Sequence, residues 1–115
     1  MSVDTTDPED RKLVLLARTT RGRTGASEGA AVRDRDGRTY TAAGVDLPSL
    51  QLSALALAVA MAASSGVTGL EAAAVVTGAD AVADADLAVV RDLAGEGVPV
   101  WRADATGTVL DRSTT

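Results

Sequence analysis

Between Leu50 and Ala63 only Gln51 and Ser53 are polar; every other residue in this stretch is Leu, Ala, Val or Met. A helix that is apolar nearly all round is buried on every side. The run is shorter than the roughly 20 apolar residues a membrane span needs. It therefore reads as a central helix, covered on its outer face as well as its inner one. Asp46 and Ser49 suit a helix start, and Pro48 suits a first turn because its missing N–H has no partner there anyway. The pattern predicts a helix over 48–65, stopped by Gly66.

The rest of the chain supplies what covers it. Residues 1–6 read as a frayed tail. Asp7-Pro8-Glu9-Asp10 combines a cap, a first-turn proline and acids on the positive end of a dipole, so a helix is expected over 8–23. Strands are expected near 29–34 and 38–44, joined by the turn signal Asp36-Gly37. The short apolar run 70–76, bounded by Gly69 and Gly78, reads as a strand buried on both faces. Asp84 or Asp86 then caps a third helix over 84–94, and strands follow near 98–102 and 108–110, with a polar tail at 111–115. The order α-β-β-α-β-α-β-β implies right-handed crossovers and a sheet covered by helices, in one domain.

Composition removes several chemistries. The 115 residues include no cysteine and no histidine. A disulfide, a thiolate nucleophile, a Cys/His zinc site and an imidazole base are thereby excluded. The net charge of −5 argues against a nucleic-acid partner. The clusters Arg18, Arg21, Arg23 and Arg33, Arg35, Arg38 read as solvated charges at a helix end and a hairpin. Tyr40 and Trp101 are the only aromatics, so the core must be built from Ala, Val and Leu. The acidic loop Asp80, Asp84, Asp86 could suit a hard metal but is better explained by capping. Asp34-Arg-Asp-Gly37 lacks the later ligands of a calcium loop and reads as a turn. Gly66-Val-Thr-Gly69 is too short for a phosphate loop. The start of the sequence shows no signal peptide, and the expectation is a cytoplasmic protein with no membrane association. The use of Arg almost to the exclusion of Lys, with abundant Ala, is typical of a high-GC bacterial genome.

The segment Gly29-Ala-Ala-Val-Arg-Asp-Arg-Asp-Gly-Arg-Thr-Tyr40, continuing through the central apolar run, resembles the front half of a small nucleoside (cytidine) deaminase. That family reads Val-Gly-Ala-Ala, a hairpin, Asn-x-Glu, then a buried helix opening with Cys-Ala-Glu. Laid on this chain without gaps, the Asn falls on Gly44, the Glu on Asp46, and Cys-Ala-Glu on Leu55-Ala56-Leu57. A later Pro-Cys-x-x-Cys, placed by matching Val89 to Leu93, falls on Val82 to Asp86, with Ala83 and Asp86 at the cysteine positions. The resemblance implies a three-layer α/β/α sandwich with a mixed five-stranded sheet, and homo-oligomers (dimers or tetramers) built around the central helix. In the family, three thiolates hold zinc and the glutamate shuttles protons. Here Leu55, Leu57, Ala83 and Asp86 stand at those positions, so neither a catalytic residue nor a metal or cofactor is expected. Gly44 and Asp46 mark a vestigial substrate contact, and Asp46 is otherwise a helix cap. The aromatic residues the family places before Val-Gly-Ala-Ala are replaced by a region holding Ala26 and Glu28.

Two functional classes follow. One is a non-catalytic oligomeric scaffold or binding protein, whose partners would be copies of itself, a weakly held nucleoside, or another protein. The other is an enzyme: a zinc-type cytidine deaminase, as resemblance alone would label it, or a carboxylate-metal hydrolase on the same frame.

Overall fold

The computed structural model describes residues 7–115; the tail expected at 1–6 lies outside them. The elements run α1 (Pro8–Thr24), β1 (Gly29–Asp34), β2 (Thr39–Ala43), β3 (Val45–Leu47), β4 (Leu50–Leu52), α2 (Ala54–Ser64), β5 (Leu70–Val76), α3 (Asp84–Ala94), β6 (Pro99–Ala103) and β7 (Val109–Thr114). The main sheet has five strands in the order β2-β1-β5-β6-β7. Only β5 and β6 pair in parallel; the other neighbours are antiparallel, so the sheet is mixed. The parallel pair is joined through α3, the crossover such a pair requires.

Side-chain alternation divides the interior into two layers. Ala30, Val32, Ala73, Val75 and Val100 point to the face covered by α2 and α3, where Leu55, Ala58, Val59, Ala62 and Val90 meet them. Ala31, Ala72, Ala74, Val76 and Trp101 point to the face covered by Leu13, Val14 and Ala17 of α1. The result is the three-layer α/β/α sandwich. The layers lie close because the facing side chains are small. At Gly29 the fit excludes even a methyl group: a Cβ there would collide with the Ala17 carbonyl oxygen and lie 2.9 Å from the Arg21 backbone nitrogen.

Three expectations need correction. The central helix starts at Ala54, six residues later than position 48. Residues 45–52 instead form a small antiparallel hairpin with Leu47 opposite Leu50 and Pro48-Ser49 at its tip. Proline pushes the residue before it to extended backbone and presets a turn, and the alternating Leu50-Gln51-Leu52 suits a strand. Asp46 is therefore an exposed strand residue and not a helix cap, and Ser53 takes that role. Second, α2 is not buried all round: Ala60, Met61, Ala63 and Ser64 are exposed, whereas Ala58 and Ala62 face inward. Third, residues 111–114, read as a polar tail, belong to β7 and pair with β6. Asp111 there binds the buried Arg102 at 2.6 Å, and the Arg112 guanidinium lies 5.5 Å from the Trp101 ring centroid. Polar residues suit an edge strand.

Arg33 is also not a solvated hairpin charge. It is 7% exposed, beneath α1, where its Nη2 donates to Asp10 Oδ1 at 2.8 Å. The Trp101 indole N–H donates to the other oxygen of Asp10 at 3.1 Å. Burial alone would disfavour the Arg33 charge, but Asp10 and Glu71 outweigh it and hold the guanidinium above its ordinary pKa.

Candidate functional site

The N-termini of α2 and α3 come together above the sheet, and most of the residues singled out by the sequence lie at this junction. Ser53 precedes α2 with extended backbone, and its Oγ accepts from the Ala56 amide at 3.1 Å. This is a serine cap at the start of an apolar run, a signal present in the sequence. The same hydroxyl donates to Asp86 Oδ1 at 2.7 Å. Asp86 lies in the first turn of α3, where a carboxylate complements the helix dipole. Ala83, the residue before α3, offers no side-chain cap, so neither Asp84 nor Asp86 is the cap residue itself.

Leu55 is 1% exposed and packs in the same apolar cluster as Val82 and Val90. Leu57 is half-buried against that cluster, as is Leu87. Ala83 is exposed. The junction is thus hydrocarbon inside, with one hydrogen bond across its top.

The loop that delivers α3 is fixed to the sheet by polar contacts. Thr77 Oγ1 donates to Glu28 Oε2 at 3.0 Å and accepts from the Ala79 amide at 3.1 Å. Arg102 Nη1 donates to the Ala79 carbonyl at 2.9 Å. The hydrogen bonds that Arg102 donates to Asp111 raise its pKa against the opposing effect of burial. None of Ser53, Thr77 or Arg102 was singled out from the sequence as a residue of the site. Their partners are 33, 49 and 23 residues away, a distance no local motif reports.

Gly44 lies beside the entrance to α2, near the Leu52 carbonyl and the Ala54 amide, and Asp46 is exposed on the hairpin that follows. Gly44 follows β2, its amide donating to the Glu28 carbonyl at 3.3 Å. A Cβ at Gly44 would meet nothing nearer than 3.7 Å, so the backbone does not require glycine there. A polar cavity of about 280 Å³ lies at the other end of α2, between the β1–β2 turn and the 65–69 loop. Asp34 borders it but is committed to the turn: it accepts from the amides of Asp36 and Arg38 at 2.9 Å each and from the Tyr40 hydroxyl at 3.1 Å.

A family model described as "Cytidine deaminase-like" matches residues 6–107. The chain belongs to the cytidine deaminase-like family. Solved structures agree on the fold. Cytidine deaminase from Burkholderia pseudomallei is 23% identical, with TM-score 0.79 over 90% of each chain. That from Mycobacterium leprae is 19% identical, with TM-score 0.72 over 94% of each chain. That from Mycobacterium tuberculosis is 25% identical, with TM-score 0.70 over 82% of this chain and 85% of that one. A search of curated proteins returns no significant match.

The zinc chemistry associated with such a fold does not fit the residues at this junction. Two leucines and an alanine offer no donor atom. The one carboxylate, Asp86, already accepts a hydrogen bond from Ser53. Zinc needs three or four N, S or O ligands around one point. Among the described residues no three His, Cys, Asp or Glu side chains are grouped to hold a metal ion.

Proposed function

We propose that this cytidine deaminase-like protein has given up the zinc and proton-shuttle site and is a non-catalytic, self-associating scaffold or binding protein. One observation carries the reading. At the four family positions, Leu55 and Leu57 contribute apolar packing, Asp86 takes one hydrogen bond, and the exposed Ala83 offers no donor atom, in place of ligands and a free carboxylate. A cation placed between Leu55 and Leu57 would lose its hydration without compensation. Any nucleoside held near Gly44 and Asp46 would be a weak ligand, since an exposed carboxylate is the only charged contact those two offer.

Self-association is supported by the outer surface of α2. Met61, at 40% exposed, stands beside Ala60 and Ala63, and the tip of the preceding hairpin presents Leu47 and Leu50 at 53% and 48%. These exposed apolar side chains are the ones a self-contact would cover. Ala58 and Ala62 cannot form the seam, because they are buried in the chain's own core. We expect light scattering to give a mass of at least twice 11.6 kDa. Met61→Arg should shift the protein toward monomer without unfolding it. A wild-type monomer across micromolar concentrations would remove self-association from the proposal. A cytoplasmic location belongs to the same proposal and is tested by cell fractionation.

The rival reading, a zinc-type nucleoside deaminase, rests on the family and its solved relatives alone. Metal analysis of the purified protein, combined with a cytidine turnover assay, decides between them. The expected result is substoichiometric zinc and no uridine. Stoichiometric zinc with turnover would overturn the proposal.

A further inference from the structure

We infer that Ser53 and Asp86 form a hydrogen-bonded clasp that ties the N-termini of α2 and α3 together and sets the spacing of the two helices. The clasp rests on the hydrogen bonds themselves; its standing in place of a metal rests on the proposed function above. A serine hydroxyl has one proton and two lone pairs. The Ser53 hydroxyl can therefore accept from the Ala56 amide and donate to Asp86 at once. Each bond polarises the other, and the ionised acceptor strengthens the shorter one.

Apolar contacts also hold the helices together, since Leu55, Ala58 and Val59 of α2 share a cluster with Val90 of α3. A shallow groove of about 310 Å³ runs along the α2–α3 seam, lined by Ala56, Val59, Ala63, Val89 and Leu93. Alanines on α2 leave that seam incompletely filled, and apolar contact has no direction. At the N-terminal end, by contrast, a 2.7 Å bond joins residues 33 positions apart. The α3 end of this bond is already fixed to the sheet through Ala79, which is held by Arg102 and Thr77. The clasp carries that fixed position across to α2.

Urea unfolding of Ser53→Ala, Asp86→Ala and the double variant tests this. Asp86→Ala should raise the unfolding equilibrium constant about tenfold, and Ser53→Ala by more, because it removes the Ala56 cap as well as the clasp. The double variant should stay near Ser53→Ala alone, because either change has already broken the clasp. Asp86→Asn keeps an acceptor oxygen and should retain most of the coupling. In Asp86→Ala, hydrogen exchange at the Ala56 amide should accelerate although its own acceptor is untouched. Single effects that multiply in the double variant, with Ala56 exchange unchanged in Asp86→Ala, would overturn the clasp. The wild-type midpoint in EDTA is the separate arm. A midpoint that EDTA lowers while coupling persists removes the metal-free reading and leaves the clasp. Lost coupling with an EDTA-insensitive midpoint does the reverse.

Discussion

Replacing Asp10 with alanine should cost this protein a large share of its stability. The Asp10 and Arg33 side chains are 10% and 8% exposed and share a 2.8 Å contact. Asp10→Ala leaves the guanidinium without its nearest counter-charge and the Trp101 indole N–H without its acceptor. Among the described residues Arg33 Nη1 already has no hydrogen-bond partner, so the group has little left to lean on. Removing one member of a buried pair costs about 3–5 kcal/mol. The orphaned indole adds about 1 kcal/mol. Glu71 lies 3.3 Å from Arg33 Nε, but its side chain is 45% exposed, and such a pair returns at most about 1 kcal/mol. The net expectation is about 4 kcal/mol, against a total of about 5–15 for a domain of this kind. With a urea slope of about 2 kcal/mol per molar, the midpoint followed by far-ultraviolet circular dichroism should fall by about 2 M. Asp10→Asn, which keeps an acceptor but no charge, should lose less. A fall under about 0.5 M for Asp10→Ala would refute the view that this buried pair holds α1 to the sheet.

Gly29→Ala should destabilise by about 3 kcal/mol, seen as a lowered melting temperature, because the new methyl meets helix backbone that cannot swing aside. The Asp34 carboxyl is opposed by burial, but the amides of Arg38 and Asp36 and the Tyr40 hydroxyl hold its pKa below the ordinary value. Its contribution is therefore present above the ordinary carboxylate range and lost as pH falls through the lowered folded pKa. The urea-midpoint gap between wild type and Asp34→Ala should be constant near neutrality and close in strong acid. A triple variant with Leu55→Cys, Ala83→Cys and Asp86→Cys should be less stable than wild type without metal, since Asp86→Cys breaks the clasp. Added zinc should raise its melting temperature, and no change on zinc addition would show that the three positions do not converge.

Much of the architecture was legible because it rests on local signals. Asp7-Pro8 opens α1 as a cap followed by a first-turn proline. The run 70–76 is the central strand β5, and its small apolar residues from Ala72 to Val76 serve both layers, with Glu71 exposed near its start. Asp46, Pro48 and Ser49 carry helix-start and turn signals alike, and only the pairing of Val45 with Leu52 chooses between them, which is why α2 begins later than its sequence pattern suggests. The polar residues at the end of β7 give no strand signal of their own, and β6, not hydrophobicity, recruits them. At the site, the replaced residue types were visible in the sequence. The pairings that define the junction were not. Asp10 reaches Trp101 across 91 positions and Ser53 reaches Asp86 across 33, and neither separation leaves a trace in composition or period.

The two aromatic residues lie on opposite faces of the sheet. Trp101 belongs to the layer beneath α1, and Tyr40 packs against the layer beneath α2 and α3. With one tyrosine and one tryptophan in the chain, each half of the interior carries its own chromophore. Emission from Trp101 reports on α1 and its ion pair, and is a poor witness to the clasped helices. Tyrosine absorbance, or energy transfer from Tyr40 to Trp101, reports on the other half. If one helix layer loosens before the other, the two signals separate in time or in denaturant, without any label being introduced.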